Sequence, residues 1–449
     1  NKMGANGGFP FLILYLALAL CCGVIIMLGE LALGRKTGHG AVGAYQSISK
    51  RFKWLGWLGI AAAALIFSFY SALGGYCLRY VVVNFGNLIG AEFGTNGVGG
   101  ADVFQGLLSQ PDVSIAFALA FMFITMLVVM SGVGGGIERV CSVGMPALFF
   151  ILIICIIRSC TLPGAADGLK YMFVPGWAVA NGIIDEAPGF WRVLTAAGGQ
   201  MFFSLSLGAG VMITYGSYLD KKQELGKSTM IIVGMDTVVA LMAGLCVIPG
   251  RFALDPNGAL GGPELLFITM QNVFDKMGPA GPVFGILFYL LVFFAAISSS
   301  ISMLEVIVAH FCDKAREKGK GDRRKLYSAI VVVICAALCA LVCADGMGSN
   351  HISPAELLGL AGAKLPGWST SWLGLFDSVA EGLLMPLGAL LMCLMISWEL
   401  KPDVLRQEIL LNGENRPWVY DFFRLCVKYI TPLCMLMILY GQISDFFIA

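Results

Sequence analysis

The segment from Gln200 to Gly210 places polar side chains and glycines inside a long apolar stretch. It contains Ser204, Ser206 and Gly208 between its two end residues. Glycine weakens a helix and serine competes for its backbone hydrogen bonds, so the pattern predicts a point where a helix unwinds. In a membrane, unwound backbone is tolerated only where it lines a cavity or binds a ligand. The alternative is close packing of helices on small residues.

A second polar run extends from Ala295 to Ser302 and also lies in an apolar stretch. Its serines are Ser298, Ser299, Ser300 and Ser302. Hydroxyl and freed carbonyl oxygens are hard ligands that suit a small cation. The alternative is that each serine donates a hydrogen bond back to its own helix.

Asp236 is an acidic residue between Val233 and Val238 in a further apolar stretch. A carboxylate at the centre of a membrane helix costs about 2.5–3.5 kcal/mol on insertion scales, and a bound cation would offset that cost. The alternative is a structural acid that is protonated or paired with an arginine. Tyr70 offers a hydroxyl in another apolar stretch, where packing is the other interpretation.

Four more charged residues lie near membrane level, namely Glu30, Arg79, Glu305 and Asp377. For Glu30 and Arg79 the simple interpretation is a position near a helix end, where the charged group extends to the surface.

The composition indicates what must position these residues. Of 449 residues, 58% are hydrophobic and 13% are charged, whereas a soluble domain carries about 25% charge. About 20 apolar residues span a bilayer, and the runs do not alternate as barrel strands would. We therefore predict ten membrane helices, at residues 9–33, 55–88, 113–131, 140–158, 191–218, 228–250, 282–311, 326–344, 377–399 and 425–444.

The basic residues are distributed unequally between the two sets of loops. The loops after the odd-numbered blocks carry 20 Lys and Arg, and the opposite side carries 7. Basic loops stay in the cytoplasm, so this split places the first set of loops there and both ends of the chain outside. The longer outer loops, at residues 159–190, 251–281 and 345–376, are either external lids or plain connections.

Several classes of function lack their sequence signals. A net charge of +1 gives no indication of a nucleic-acid partner. We find no nucleophile elbow, no phosphate-binding loop and no His or Cys spacing typical of a metal site, so an enzyme is not expected. Cys335, Cys339 and Cys343 share one helix face and are interpreted as small packing residues, with a metal site as the alternative.

The chain resembles the neurotransmitter:sodium symporter family, in its bacterial branch, over essentially its whole length. The resemblance implies an all-α polytopic membrane protein with the LeuT-type inverted-repeat helix bundle. The motifs that carry it are Asn6-Gly7-Gly8, Gly29-Glu30-Leu31-Ala32-Leu33-Gly34-Arg35, Ser68-Phe69-Tyr70-Ser71, Gly136-Ile137-Glu138-Arg139, Gln200 to Gly210 followed by Thr214-Tyr215-Gly216-Ser217-Tyr218, and Phe293 to Ser300.

The resemblance implies a role for individual positions around a substrate. Tyr70 matches the tyrosine that bonds the substrate carboxylate, Phe203 matches the aromatic lid, and the backbone of Ser206 matches the unwound point. Other positions match residues that line the pocket, namely Ile66, Ala209, Ser299 and Met303.

Two sodium sites are also implied. Ser204 and Asp236 match ligands of the first. The second corresponds to the Ala295 carbonyl with Ser298 and Ser299. Asp377 matches the acidic half of an external gate.

The first helix of the family has no counterpart in residues 1–449, which we interpret as a single transporter domain. Residues 1–8 resemble the end of that helix, so the complete protein is expected to have eleven helices. The helix would supply further ligands to both sodium sites and an arginine for Asp377. Without it, the chain as given is not expected to transport.

The expected function is sodium-coupled symport of an amino acid by alternating access in the bacterial cytoplasmic membrane, with membrane lipid as the surroundings. Ala209 leaves room beside Phe203, which favours a bulky hydrophobic or aromatic substrate. Chloride-dependent members carry a serine where this chain has Ala240, so no chloride is expected. The alternatives are a proton-coupled or amine transporter of the same fold, and a membrane sensor that does not transport.

Overall fold

The computed structural model of the protein describes residues 2–95, 97–321, 323–359, 367–400, 404–410 and 417–447. These residues form helices and connecting segments, and no β-strand occurs among them. We number the bundle helices in chain order: α1 (Phe9–Thr37), α2 (Lys50–Ile89), α3 (Pro111–Met130), α4 (Val133–Cys160), α5 (Phe190–Ser204), α6 (Val211–Gly216), α7 (Leu225–Leu254), α8 (Gly278–Glu317), α9 (Arg324–Gly348), α10 (Trp372–Glu399) and α11 (Val419–Ser444).

The predicted block at residues 191–218 is not one continuous helix. It forms two short helices, α5 and α6, joined by residues 205–210. The other nine predicted blocks each correspond to one described helix that is long and apolar enough to cross a membrane. The expected all-α membrane bundle is therefore confirmed, and the tenth crossing is a broken helix.

Two very long helices, α2 and α8, pack against each other and form the centre of the bundle. Helix α3 packs against both and also contacts α9. Small residues permit this close approach, since a Cβ atom added to Gly75 on α2 would lie 2.5 Å from the Ala118 backbone nitrogen on α3. Membrane helices associate through such small-residue contacts because lipid provides no hydrophobic drive between them.

Helix α1 contacts both halves of the broken helix, α5 on one side and α6 on the other. It also contacts α7, whereas α10 packs against α11. A π-helical turn at Ala19–Gly23 widens α1, and another at Ser378–Leu384 widens α10. These turns lie beside the break, and π-helical turns are frequent at functional positions.

The loops predicted to lie outside the cell fold into short helices rather than extended connections. They include Gly100–Leu108, Ala165–Phe173, Met270–Lys276 and Pro354–Leu357. Ser353 and Glu356 form a capping box at the last of these. The hydrogen bond from His351, followed by that from the Ser353 N–H, lowers the pKa of Glu356. Residues 360–366 of this loop lie outside the described residues.

Candidate functional site

The break between α5 and α6 is formed by backbone that an ordinary helix does not contain. Ser206 has φ 52°, and Gly208 and Gly210 have φ 78° and 75°. Glycine adopts such angles without strain, but serine does so at a cost. A Cβ atom at Gly208 would also lie 2.1 Å from the Met385 carbonyl oxygen of α10, so only glycine fits there. The predicted unwound point is therefore present in the structure.

Glu30 supports this break from helix α1. Its Oε1 accepts a hydrogen bond from the Gly208 N–H at 2.8 Å, and the residue is only 1% exposed. Glu30 lies within α1, so the expectation that it extends to the surface near a helix end is wrong. A buried carboxylate instead satisfies a backbone donor that the broken helix leaves free.

Asp236 meets Ser204 beside the same break. The Ser204 hydroxyl, at the last residue of α5, donates to the Asp236 carboxylate and lies 2.8 Å from Oδ2 and 3.0 Å from Oδ1. The Tyr15 hydroxyl on α1 donates to Oδ2 from 3.1 Å. Carboxylate and hydroxyl oxygens are the ligands that hard cations prefer, so this donor set fits a small cation. Tyr15 was not predicted from the sequence.

An aromatic pair lies at the end of α5 that faces α2. The rings of Tyr70 and Phe203 meet edge to face with centroids 6.0 Å apart, and both residues are half-buried. The Ser299 side chain on α8 lies near the Tyr70 hydroxyl. These three residues, predicted from separate motifs, thus lie together.

The remaining predicted pocket residues are closely packed. Ile66 is 2% exposed and Met303 is 3% exposed, whereas Ala209 has no exposed surface. The backbone of Ala209 lies against α2, since a Cβ atom at Gly59 would be 3.0 Å from the Ala209 carbonyl oxygen. Ala209 is therefore held between helices in this conformation.

The serine run on α8 does not break its helix. The Ser298 hydroxyl donates to the Ala295 carbonyl at 2.9 Å, and Ser302 donates to the Ser298 carbonyl at 3.2 Å. These two serines therefore follow the alternative in which the hydroxyl donates a hydrogen bond back to its own helix. Ser299 is exposed on the face that meets Tyr70, whereas Ser300 is buried and its hydroxyl has no hydrogen-bond partner among the described residues.

The outer end of α10 carries an ion pair that was not predicted. Glu381 is 5% exposed and pairs with the Lys2 ammonium group. Its Oε1 would lie 2.8 Å from a Cβ atom at Gly199, so the carboxylate packs directly on α5. Asp377, the acid predicted for an external gate, is half-buried one helical turn earlier.

Comparisons with known proteins identify the family of the chain. The chain matches the Sodium:neurotransmitter symporter family over residues 2–96 and 102–447. It is 34% identical to a sodium-dependent transporter of Bacillus subtilis over 98% of this chain and 91% of that protein. It is 26% identical to a sodium-dependent transporter of Methanocaldococcus jannaschii over 98% of this chain and 84% of that protein.

Among solved structures, the crystal structure of MhsT in complex with L-phenylalanine superimposes with a TM-score of 0.82 at 32% identity, covering 98% of this chain and 93% of that one. The chain belongs to the sodium:neurotransmitter symporter family. It is a sodium-dependent transporter, and such transporters are not enzymes in general.

Two further polar contacts in this transporter lie at the end that charge asymmetry assigns to the cytoplasm. Glu305 has no exposed surface, accepts a hydrogen bond from Tyr218 at 2.7 Å and pairs with Arg324. Arg35 pairs with Glu408 at 2.9 Å. The sequence indicated Glu305 as an acid near membrane level but gave no sign of its partners, which lie on other elements.

Proposed function

We propose that the protein is a sodium-coupled symporter of an amino acid, in the bacterial cytoplasmic membrane, that works by alternating access. The observation that carries the proposal is the meeting of Asp236 and Ser204 at the broken helix. A membrane carboxylate beside unwound backbone is costly unless it serves a ligand. Sodium would bind at these oxygens, as the first of two proposed sites.

The second proposed sodium site consists of the Ala295 carbonyl, Ser298 and Ser299. The Ser298 hydroxyl donates to the Ala295 carbonyl, so the oxygens of these two residues already lie together. A cation at this place would be coordinated by the lone pairs of both oxygens.

The proposed substrate is a bulky hydrophobic or aromatic amino acid. Tyr70 would hydrogen-bond its carboxylate, and the Phe203 ring, 6.0 Å away, would cover it. Ile66, Ala209 and Met303 would surround its side chain, and the Ser206 backbone would bind its polar groups. MhsT, a structural neighbour, was crystallised with L-phenylalanine, which supports an aromatic substrate.

Coupling follows from the position of the first sodium site. Ser204 ends α5, and Phe203 is its neighbour in the chain, so a cation held by Ser204 and Asp236 fixes the lid residue. A ligand shifts a conformational equilibrium only by its differential affinity for the two states. Sodium would favour the closed site in this way, and the membrane potential would add about 2.3 kcal/mol per charge per 100 mV. Asp377 and its neighbour Glu381 would act at the outer gate.

The test is uptake into liposomes by protein expressed from its full gene. Labelled phenylalanine, tryptophan, leucine and glycine are compared with and without an inward sodium gradient. We expect sodium-dependent uptake of the bulky amino acids and its loss in Asp236→Ala. Asp112→Asn removes an exposed acid at the start of α3 and is the matched control.

The outcomes separate the alternatives. Uptake driven equally by a proton gradient would assign Asp236 to proton transfer and contradict sodium coupling. Preference for glycine would contradict the bulky substrate, and uptake of amines alone would contradict the amino-acid class. Binding without uptake of any solute would favour a sensor.

A further inference from the structure

A shallow cleft lies between the ends of α10 and α11, with about 390 Å³ of space that includes its opening to solvent. Its floor is apolar and includes Leu405, Phe423 and Val427, each at most 2% exposed. Above the floor the Ser397 hydroxyl donates to the Val427 carbonyl at 3.0 Å and joins the two helices. The ends of α10 and α11 therefore form the walls of the cleft.

Two basic residues line the same cleft. Arg424 is exposed and Lys428, one helical turn later on α11, is half-buried. Within the described ranges, no carboxylate lies within ion-pair distance of either group. An apolar floor with two cations at one edge suits a ligand with an anionic head and an apolar tail.

The position of the cleft in the membrane indicates the source of such a ligand. Charge asymmetry places this end of α10 and α11 at the cytoplasmic surface. Trp398 is 67% exposed and Tyr429 is 55% exposed beside the cleft, and the Lys428 ammonium lies 5.0 Å and 5.2 Å from their rings. Exposed aromatic rings of this kind mark the headgroup level. The cytoplasmic leaflet is the one that attracts basic segments through its anionic lipids.

We propose that this cleft binds one anionic phospholipid of the cytoplasmic leaflet. The headgroup phosphate lies between Arg424 and Lys428, and the start of an acyl chain passes Ile396 in the apolar lining of the cleft toward the bilayer centre. Arginine suits this role because its guanidinium group can form two parallel hydrogen bonds to one phosphate. The proposal is independent of the transported substrate and of sodium coupling.

The test uses Trp398 as a local reporter. Full-length protein in micelles of short-chain phosphatidylcholine is titrated with phosphatidylglycerol that carries brominated acyl chains. The Trp398 signal is the difference in fluorescence from Trp398→Phe. We expect saturable quenching. The double variant Arg424→Gln with Lys428→Gln should need about twenty-five times more lipid, since each basic residue near an anionic surface contributes roughly fivefold.

The matched control is the double variant Lys318→Gln with Lys320→Gln. It removes the same charge from exposed residues in the segment after α8, away from the cleft. We expect its titration to overlie that of the wild type. An equal shift in this control, or equal quenching by brominated phosphatidylcholine, would overturn the proposal. Displacement of the lipid signal by inorganic phosphate would show a soluble-anion site and would also overturn it.

Discussion

Asp236 is oriented by hydrogen bonds from two hydroxyl groups on different helices. Ser204 donates from the end of α5 and Tyr15 donates from α1. An ionised carboxylate has about four acceptor positions, so these two donors leave oxygen lone pairs for a cation. Tyr15 thus acts as a positioning residue for the proposed first sodium site.

The role of Tyr15 leads to a prediction for the phenylalanine variant. Tyr15→Phe keeps the ring and removes one donor to Asp236. We expect about fivefold weaker sodium activation of uptake, because a hydrogen bond of this kind contributes about 1 kcal/mol. The control Tyr440→Phe removes an exposed hydroxyl on α11. An unchanged sodium dependence in Tyr15→Phe would contradict the positioning role.

Glu30 leads to a second prediction at the residue scale. Glu30→Ala leaves the Gly208 N–H without its acceptor, and an unsatisfied buried donor costs about 1–3 kcal/mol. We expect a clearly lower midpoint of thermal unfolding. Glu30→Gln keeps an acceptor oxygen in the same place and should unfold near the wild-type temperature. If both variants unfolded at the same reduced temperature, the charge rather than this hydrogen bond would carry the effect.

The sequence identifies single functional residues only where a polar side chain lies in a run that is otherwise apolar. Asp236 and Ser204 are polar groups in apolar runs, and the structure places them together. Glu30 is also a polar residue in an apolar run. Its partner Gly208 is 178 residues away, and only the folded bundle identifies this partner. Tyr15 gives no such signal, because a tyrosine in an apolar helix is ordinary packing until its neighbour is known.

At the scale of elements, α5 and α6 differ from α8 although all three carry serines in apolar surroundings. Serine alone does not break a helix, because its hydroxyl can bond the carbonyl three or four residues earlier, as Ser298 and Ser302 do. The break between α5 and α6 needs glycines with positive φ at Gly208 and Gly210. The sequence therefore predicts an unwound point best where serine and glycine occur together.

This distinction leads to a matched pair of glycine variants. Gly208→Ala would require a positive φ of alanine and place its Cβ atom 2.1 Å from the Met385 carbonyl oxygen. We expect a loss of about 2–5 kcal/mol of stability and loss of uptake. Gly234→Ala lies in α7, where an added Cβ atom meets nothing within 4 Å. It should stay within about 1 kcal/mol of the wild type, in the stabilising direction. Equal thermal unfolding of the two variants would contradict the argument.

At the scale of the whole molecule, the apolar surface and the basic loops determine how the bundle lies in the membrane. Helices α4 and α7 are long and apolar but bury only 17% of their most apolar windows, so these windows lie at the periphery of the described bundle. Composition and the length of the apolar runs predict nearly all of the position of the bundle in the membrane. They do not predict which helices pack against each other, because lipid-facing and partner-facing helices are equally apolar.

The overall charge of the central site leads to the last prediction, which concerns chloride. Asp236 supplies a fixed negative charge next to the proposed sodium site, and Ala240, one turn later on α7, offers no hydroxyl for an anion. Because the protein already holds this negative charge, a chloride ion is not needed to balance the sodium charge. The Asp236 carboxylate would also repel a chloride ion at this distance. We therefore expect sodium-driven uptake to be unchanged when chloride is replaced by gluconate on both sides of the membrane. In Asp236→Asn the fixed charge is lost while an acceptor for Ser204 remains, so any residual uptake should become dependent on chloride. Collapse of wild-type uptake in gluconate would show that Asp236 does not replace the anion.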